Sequence, residues 1–260
     1  MKKIQKIIET LLPGFVVSKL RTIVLFIERV QNKKLSTKEV FTQIYTKGKW
    51  GKTKHKTYFS GLGSSLDYII TPYVNYITNF LSAYPHKPTI VDLGCGNFEI
   101  GKNFVPYASK YIGVDIVDNL IDRNKTEYTK KDQIEFMCLD IIKDKLPDGE
   151  ICFLRQVLQH LSNEQILLIL KKLNKYQITF ITEHYPLDDP NILPNVDKVQ
   201  GEFIRAYLNS GVYLDKSPFN IPSNRLQLVL EVPGSTLGGN ISPGVIRTYK
   251  YLSGNKPTDI

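Results

Sequence analysis

Short runs of hydrophobic residues alternate with longer amphipathic stretches through the middle of the chain. Five runs have the length and composition of buried strands, and most end in a polar residue: 90–93, 111–115, 134–140, 151–155 and 177–182. An S-x-x-Q capping box at Ser162 and Gln165 begins a helix whose apolar residues recur at helical spacing. Strands that alternate with helices predict a doubly wound α/β domain with a parallel sheet.

The first of these strands ends in an acid and two closely spaced glycines, in the sequence IVDLGCGNFEIG. Gly94 and Gly96 allow a tight turn close to a ligand because they carry no Cβ atom. The G-x-G-x-x-G motif of dinucleotide-binding proteins is excluded, since Glu99 occupies the third glycine position, and no P-loop lysine follows. The turn therefore suits a nucleoside that lacks a pyrophosphate.

This D-x-G-x-G turn, which begins at Asp92, resembles motif I of the class I methyltransferases that use S-adenosylmethionine. Asp115 ends the next strand, 23 residues after Asp92, and a carboxylate there can accept both ribose hydroxyls. Asp140 follows the third strand, where this family places an acid beside the adenine amino group. The resemblance implies S-adenosylmethionine as cofactor and a Rossmann-like, doubly wound, seven-stranded, mostly parallel sheet, completed by residues 226–232 and an antiparallel strand at 245–252.

Residues 40–65 resemble the front end of bacterial surface-polysaccharide (capsule or O-antigen) methyltransferases, through F-x-x-I-Y-x-x-G-x-W-G followed by S-G-x-G-S. In such enzymes the segment closes over the methionine end of the cofactor. Its dense glycines and serines are as typical of a simple flexible turn. The motifs and strand ends together predict the following cofactor-binding residues: Trp50, Ser60, Gly61, Ser64, Asp92, Gly94, Cys95, Gly96, Asp115, Ile116, Asp140, Ile141, Arg155 and Gln156.

Two of the four histidines follow predicted strands, at the edge where doubly wound sheets bind ligands. His160 lies between the fourth strand and the next helix, and Glu183 and His184 follow the fifth strand. Histidine suits the removal of a hydroxyl proton near neutral pH, and Glu183 can orient it or act as the base itself. All three are predicted catalytic residues, with helix capping or a bond to a backbone carbonyl as the structural alternative.

A magnesium-assisted transfer is an alternative mechanism. Glu183, Asp188, Asp189 and Asn191 offer the oxygen ligands that Mg²⁺ prefers. An acidic loop is more often simply solvated, and no compact metal-ligand motif is present. We therefore predict no metal site.

Residues 186–225 contain no obvious strand and are predicted to form a substrate lid, with a helix over 196–209. The block Y-L-D-x-x-P-F-N-x-P resembles the substrate-facing segment of the same bacterial group, although Ser217 replaces the first of its two prolines. An aromatic floor with one amide suits a sugar-like substrate; an apolar anchor for the lid is the alternative. The predicted substrate residues are Tyr185, Tyr213, Phe219 and Asn220.

Charge is concentrated at the amino terminus. Residues 1–60 hold 14 Lys or Arg and 3 acids, a net charge of +11, whereas the remainder of the chain has a net charge of −2. The apolar stretch 15–30 is interrupted by charges and is too short to span a bilayer. A basic amphipathic helix lies on an anionic membrane or packs its apolar stripe on its own domain or a second subunit.

We accordingly expect two regions: a basic helical extension and cofactor lid at 1–60, and a methyltransferase domain at 61–260. Three cysteines without a C-x-x-C pair favour a reducing cytoplasm, with peripheral contact at the inner membrane face left open. The predicted function is methyl transfer to oxygen on a small acceptor, and the resemblance implies a nucleotide-linked sugar or capsular polysaccharide precursor.

Three other functions stay open. A phosphoryl or phosphoramidate oxygen of a capsule modification is the nearest rival acceptor. An RNA-binding methyltransferase would use the basic arm on phosphates, but the fourth strand is followed by R-Q-V-L and not by a D/N-P-P-Y type motif, which disfavours base methylation and a nucleic-acid partner. A non-catalytic scaffold that binds the cofactor is the third.

Overall fold

The computed structural model describes residues 14–51, 58–128, 132–188, 190–234 and 244–253. Its helices are α1 (Gly14–Asn32), α2 (Thr37–Thr46), α3 (Asp67–Ser82), α4 (Asp118–Tyr128) and α5 (Asn163–Leu173). Its strands are β1 (Thr89–Leu93), β2 (Lys110–Asp115), β3 (Ile134–Cys138), β4 (Ile151–Arg155), β5 (Ile178–Tyr185), β6 (Leu226–Pro233) and β7 (Val245–Leu252).

The strands form one seven-stranded sheet in the order β3-β2-β1-β4-β5-β7-β6. Strands β1 to β5 are parallel, and β7 runs antiparallel to both β5 and β6. The predicted Rossmann-like, doubly wound fold with a reversed last strand is confirmed. Strand order reverses between β1 and β4, and doubly wound sheets bind their ligands at such a crossing.

Both faces of the sheet are covered, which explains why its strands are continuously apolar. On one face Val91 and Leu93 of β1 pack with Ile166 and Ile169 of α5. Ile90 of β1 points to the opposite face, where it belongs to the cluster formed with α3. The side chains of β1 therefore pack on both helical layers, directly before the turn at the carboxyl end of the strand.

Strand β5 is longer than the sequence predicted. Its pairing with β7 continues from Ile178 opposite Leu252 to Tyr185 opposite Val245. Glu183 and His184 are therefore strand residues buried in the sheet and do not project beyond its edge. At the other side, β3 ends at Cys138, two residues before Asp140.

The predicted helix over 196–209 is wrong, because only a short 3₁₀ turn forms at Arg205–Leu208. The buried Arg205 guanidinium donates to the carbonyl oxygens of Val196 and Leu161, at 2.5 and 2.7 Å. The hydroxyl of Ser210 accepts from the Val196 N–H. Side chains thus satisfy backbone groups that a helix would have paired internally, and the segment is held as an ordered irregular loop.

The amino-terminal helices pack on this loop. A capping box between Ser36 and Glu39 begins α2, while α1 docks through Glu28 and Asn32, whose amide donates to the Gln200 carbonyl at 2.9 Å. No helix in the described part of the chain is long and apolar enough to cross a membrane. The proposed boundary at residue 60 between extension and domain stays a prediction.

Candidate active site

A cleft with an empty volume of about 1090 Å³, counted to its open mouth, lies at the carboxyl ends of β1, β2 and β4. The loops that follow these strands form its floor, and α2 with Trp50, Ser60 and Ser64 forms its roof. Of the predicted cofactor residues, the cleft is lined by Trp50, Ser60, Ser64, Asp92, Gly94, Cys95, Gly96, Asp115, Ile116, Asp140, Ile141, Arg155 and Gln156. Gly61 is the predicted member that does not line it.

The glycine turn after β1 has the backbone conformation that its sequence predicts. Gly94 and Gly96 have φ angles of +78° and +55°, in the left-handed region that residues with a Cβ atom rarely adopt. The N–H groups of Gly94 and Cys95 both donate to the Val114 carbonyl, at 2.8 and 2.9 Å. A Cβ atom on Gly96 would lie 2.8 Å from the Ser60 hydroxyl oxygen, so the two glycines keep the floor of the cleft open.

Asp115 holds a carboxylate at the tip of β2, beside this turn. One oxygen accepts from the Gly96 N–H and the other from the Val117 N–H, each at 3.1 Å. Burial raises the pKa of Asp115 to about 6, although these backbone N–H groups lower it. Each carboxylate oxygen keeps a further lone pair, so the group can accept two ribose hydroxyls without losing its anchors.

The region around Asp140 combines a fixed carboxylate with apolar side chains. The side chain accepts from the Ile142 N–H at 2.9 Å, and the Asp140 N–H donates to Asp144 at 2.8 Å. Ile116 and Ile141 supply apolar surface beside it. Flat apolar walls with one fixed carboxylate suit a heterocycle that bears an amino group.

Opposite charges face each other at the other end of the cleft. Burial raises the pKa of Asp92 to about 7, against the lowering effects of the Tyr111 hydroxyl, 2.9 Å away, and of Arg155. The Arg155 guanidinium donates to the Ser64 hydroxyl and the Gly63 carbonyl, at 3.1 and 2.7 Å. Its buried Nε has no hydrogen-bond partner. This pair suits an amino-acid group, with its ammonium near Asp92 and its carboxylate near Arg155.

Aromatic side chains from the amino-terminal segment form the roof. Tyr45 of α2 is buried, and its hydroxyl lies 3.1 Å from the Ser60 hydroxyl. Trp50 packs against Tyr45 with ring centroids 5.2 Å apart. Its indole N–H donates to the Glu202 carbonyl at 3.2 Å, so the roof is tied to the loop that follows β5.

His160 stands on the wall of the cleft with its ring fixed by the backbone. Its Nδ1 lies 3.0 Å from the Gly201 carbonyl oxygen, which can only accept, so Nδ1 carries the proton. The ring lies 5.0 Å from Trp50 between centroids. Burial lowers the pKa of His160 to about 3, and the positive charge of Lys198 acts in the same direction. The imidazole is therefore neutral at physiological pH.

The other predicted catalytic residues do not line the cleft. Glu183 lies beneath the turn that carries His160 and accepts the N–H groups of Val157, Leu158 and Gln159, at 2.9–3.2 Å. Burial raises the pKa of Glu183 to about 8, although these three N–H groups lower it. His184 is buried in β5, with its N–H bonded to the Gln159 side chain. The prediction that Glu183 and His184 follow the fifth strand is therefore corrected, because β5 is longer than predicted and contains both residues.

The four predicted substrate residues also lie away from the cleft. The Tyr185 hydroxyl donates to the Val212 carbonyl, and its ring packs against Tyr213 at 5.2 Å between centroids. Phe219 is buried in the hydrophobic core and Asn220 is exposed. These contacts match the alternative interpretation of the segment as an apolar anchor.

No group of three His, Cys, Asp or Glu side chains that could hold a metal occurs among the described residues. Asp188, offered above as a magnesium ligand, pairs instead with Arg247 at 3.1 Å. Asp189, also offered above, lies outside the described residues.

Some cleft residues were not predicted. Thr37, Phe41 and Tyr45 of α2, together with Tyr73 of α3, line the cleft. Phe41 and Tyr45 belong to the F-x-x-I-Y motif quoted above, so a signal for them existed. For Tyr73, which packs under the Arg155 guanidinium at 5.1 Å, the sequence shows only a helical apolar position.

Fold and cleft together define a doubly wound α/β protein built to hold a nucleoside joined to an amino acid. Residues 91–175 match the family model described as a methyltransferase domain. The chain thus has the class I methyltransferase fold, and the domain match over these residues supports an S-adenosylmethionine-dependent methyltransferase. No curated protein sequence matches the chain.

Solved structures agree on the fold. The N-methyltransferase NodS from Bradyrhizobium japonicum WM9, in complex with S-adenosylhomocysteine, is similar with a TM-score of 0.51 and 10% identity, over 74% of this chain and 91% of that one. Human N-acetylserotonin methyltransferase, in complex with S-adenosylmethionine, gives 0.53 and 16%, over 87% and 62%. Magnesium protoporphyrin IX methyltransferase from Synechocystis PCC 6803 gives 0.53 and 12%, over 86% and 100%.

Proposed function

We propose that this methyltransferase acts on a hydroxyl oxygen of a small polar acceptor, and that the acceptor is a nucleotide-linked sugar or another polysaccharide precursor. The observation that carries the choice of oxygen is the neutral His160 imidazole on the cleft wall. A hydroxyl must lose its proton as it is methylated, and a fixed neutral imidazole can take that proton.

The hydrogen bonds around His160 set up this role. Because Nδ1 donates to Gly201, the lone pair lies on Nε2. The Gly201 N–H donates back to the His160 carbonyl at 3.0 Å, so ring and backbone are held by the same residue. Nε2 has one contact, 3.3 Å from the Gln159 side-chain nitrogen. That distance is long for a hydrogen bond, so a substrate hydroxyl can replace the Gln159 side chain as the partner of Nε2 at a modest cost in free energy.

The low pKa of His160 is compatible with this chemistry. When bound, S-adenosylmethionine supplies a methyl group on a positively charged sulfur, which becomes a neutral thioether as the carbon–sulfur bond breaks. The hydroxyl oxygen forms the new bond to carbon, and its proton passes to Nε2 of His160. The number of positive charges in the cleft is then unchanged, and loss of the charge on sulfur offsets part of the cost of protonating the buried His160.

The predicted cofactor residues act through binding and orientation. Asp115 would accept the ribose hydroxyls, Asp140 would face the adenine, and Asp92 and Arg155 would hold the amino-acid end. Gly94 and Gly96 leave room for the backbone to approach the nucleoside. Their lining of one cleft supports this assignment.

The acceptor class rests on the sequence resemblance and on the chemistry of the wall around His160. Phe41 and Trp50 give apolar ring surface beside His160, with ring centroids 6.5 and 5.0 Å away. Sugar rings present apolar C–H faces to aromatic rings while their hydroxyls reach polar groups. Thr37 adds a hydroxyl on the same side of the cleft.

Incubation with isotopically labelled S-adenosylmethionine and a panel of sugar nucleotides and sugar phosphates tests the proposal. We expect label on a sugar oxygen, located by mass spectrometry and NMR. His160→Gln should reduce the rate at least about a hundredfold, the usual contribution of general base catalysis. The matched control is His86→Gln, which changes an exposed histidine far from the cleft and should leave the rate unchanged.

Three results would overturn parts of this function. Label on nitrogen or on a phosphoryl oxygen would refute the proposed acceptor atom. Full activity of the His160→Gln protein would refute the assignment of the base. Cofactor binding without turnover on the whole panel would favour the scaffold.

A further inference from the structure

Helix α1 is oriented with its polar side toward the protein. Glu28 and Asn32, one helical turn apart, are buried against the loop after β5. The Glu28 carboxylate accepts the Phe203 N–H at 3.3 Å and lies 4.0 Å from the buried Lys198 ammonium. Gly201 provides the room, because a Cβ atom there would lie 2.0 Å from the Glu28 carboxylate. The docked face is thus specific and charged.

The opposite face of α1 is apolar and exposed. Ile23, Phe26, Ile27 and Val30 follow the i, i+3, i+4, i+7 spacing that places side chains on one side of a helix. Their exposed fractions are 53%, 63%, 46% and 60%. Four large apolar side chains in one strip are a surface that proteins normally cover. We define this set as the α1 strip.

Positive charge borders the α1 strip. Arg29, Lys33 and Lys34 are exposed, and among the described residues none of their side chains has a hydrogen-bond or ion-pair partner. The nearest acid, Glu28, points into the protein and is paired with Lys198. An apolar strip beside unpaired cations is the arrangement by which a helix lies in the interface of an anionic bilayer.

A second copy of the chain fits the α1 strip less well than an anionic bilayer does. A stable protein interface buries about 800 Å² on each partner, from about 20–30 residues, and the α1 strip offers four. A symmetric contact through α1 would also bring two copies of the basic segment together, each with a net charge of +11 over residues 1–60. Like charges oppose such a pair and favour an anionic surface.

We infer that the protein binds the surface of an anionic lipid bilayer through the α1 strip and the adjacent cations, without crossing it. The helix then lies in the interface with its apolar side chains among the acyl chains and its cations at the headgroups. The Glu28 face remains docked on the protein. The inference is independent of the proposed acceptor, because it concerns a surface outside the cleft.

Vesicle flotation with the full-length protein tests this inference. The probes are vesicles of phosphatidylcholine alone and of an equal mixture of phosphatidylcholine and phosphatidylglycerol, at low and high salt. We expect binding to the mixed vesicles, weakened by salt, and little binding to phosphatidylcholine alone. Phe26→Gln with Val30→Gln should weaken binding by about tenfold or more, and Lys33→Gln with Lys34→Gln by about 30-fold.

Matched control variants test whether the loss of vesicle binding is specific to the α1 strip and its neighbouring cations, or follows from the loss of any exposed apolar or basic side chain. Leu193→Gln removes a side chain that is 65% exposed elsewhere, and Lys87→Gln with Lys171→Gln removes two exposed lysines outside α1. Both controls should bind as the wild type does, and all variants should keep the wild-type melting temperature and bind S-adenosylhomocysteine. Equal binding of the strip variants and the controls would overturn the inference. So would a wild-type protein that ignores anionic vesicles, or one that instead forms a dimer abolished by Phe26→Gln with Val30→Gln.

Discussion

Replacement of the buried Glu183 by glutamine separates a structural role from a catalytic one. The carboxylate accepts three backbone N–H groups in the turn that leads from β4 to His160. In the Glu183→Gln protein the amide oxygen can still accept from Val157 and Leu158, which share one carboxylate oxygen. The amide nitrogen, however, would face the Gln159 N–H, donor against donor.

The expected loss is one buried hydrogen bond and one unsatisfied N–H group. Each such change costs about 1–3 kcal/mol, so the free energy of unfolding should fall by about that amount. For a chain of this size the melting temperature should drop by about 2–12 °C, at about 2–4 °C per kcal/mol. Urea denaturation at pH 9, above the raised pKa of Glu183, measures the change for the ionised carboxylate. The control Glu164→Gln alters an exposed residue in the first turn of α5 and should cost no more than about 0.5 kcal/mol.

Catalysis supplies the second readout. If Glu183 positions the His160 turn, Glu183→Gln should lower the rate moderately and leave S-adenosylhomocysteine binding almost unchanged. A variant as stable as the wild type would show that the three N–H contacts contribute nothing. Unchanged stability with nearly complete loss of turnover would instead refute the structural role and restore Glu183 as the base.

Three further predictions concern the cleft. His160 is buried with a pKa lowered to about 3, so below its unfolded pKa near 6.5 the unfolded chain binds more protons, and the free energy of unfolding falls by about 1.4 kcal/mol per pH unit as the pH falls from 6.5 toward 3. Urea titrations between pH 4 and 7 should show a weaker dependence of this free energy on pH for His160→Gln than for the wild type and for the control His86→Gln. An equal dependence in all three proteins would contradict the burial of a neutral ring. Gly96→Ala should weaken S-adenosylhomocysteine binding by at least about tenfold. The control Gly48→Ala, at φ +60°, has the same backbone strain of roughly 1 kcal/mol but should bind the ligand as the wild type does. Equal affinities of the two variants in calorimetry would refute a close approach of the ligand to Gly96. Trp50 is the sole tryptophan, so its fluorescence should change on titration with S-adenosylhomocysteine, and an unresponsive signal alongside calorimetric binding would exclude it from the site.

The strand ends were predictable because their signals are local. Asp92, Gly94 and Gly96 lie within five residues of one another, and the turn they form needs positive φ angles that only a few residue types tolerate. Asp115 follows its own apolar strand in the same way. Parallel strands bring such ends to one edge of the sheet whatever the rest of the chain does, so the cofactor cleft follows from short motifs.

The acceptor side was less predictable because its contacts join distant parts of the chain. The end of β5 depends on pairing with β7, more than sixty residues later, and this pairing buried Glu183 and His184. Arg205 holds the loop after β5 by bonds to carbonyl groups that no periodicity reveals. His160 was found from its position after β4, but the Gly201 carbonyl that fixes its tautomer lies 41 residues away.

The orientation of α1 could not be obtained from its hydrophobic pattern either. An apolar stripe ordinarily packs inward, yet here Glu28 has a buried partner in Lys198 and a glycine-sized space at Gly201. A charged pair and a small residue therefore decide which side of the helix faces the protein. Such complementarity becomes visible only when the two segments are seen together.

We propose that the Asp115 carboxylate, fixed by the turn after β1, holds the ribose of S-adenosylmethionine, and the cofactor site depends on this contact. Isothermal titration calorimetry with the donor and with S-adenosylhomocysteine tests it directly on the wild type, on Asp115→Asn and on the exposed control Asp122→Asn. We expect both ligands to bind the wild type and the control alike and to bind Asp115→Asn about 10- to 100-fold more weakly, since one charged hydrogen bond is lost. Absence of binding to well-folded wild-type protein, or equal affinity of the Asp115→Asn protein, would contradict it.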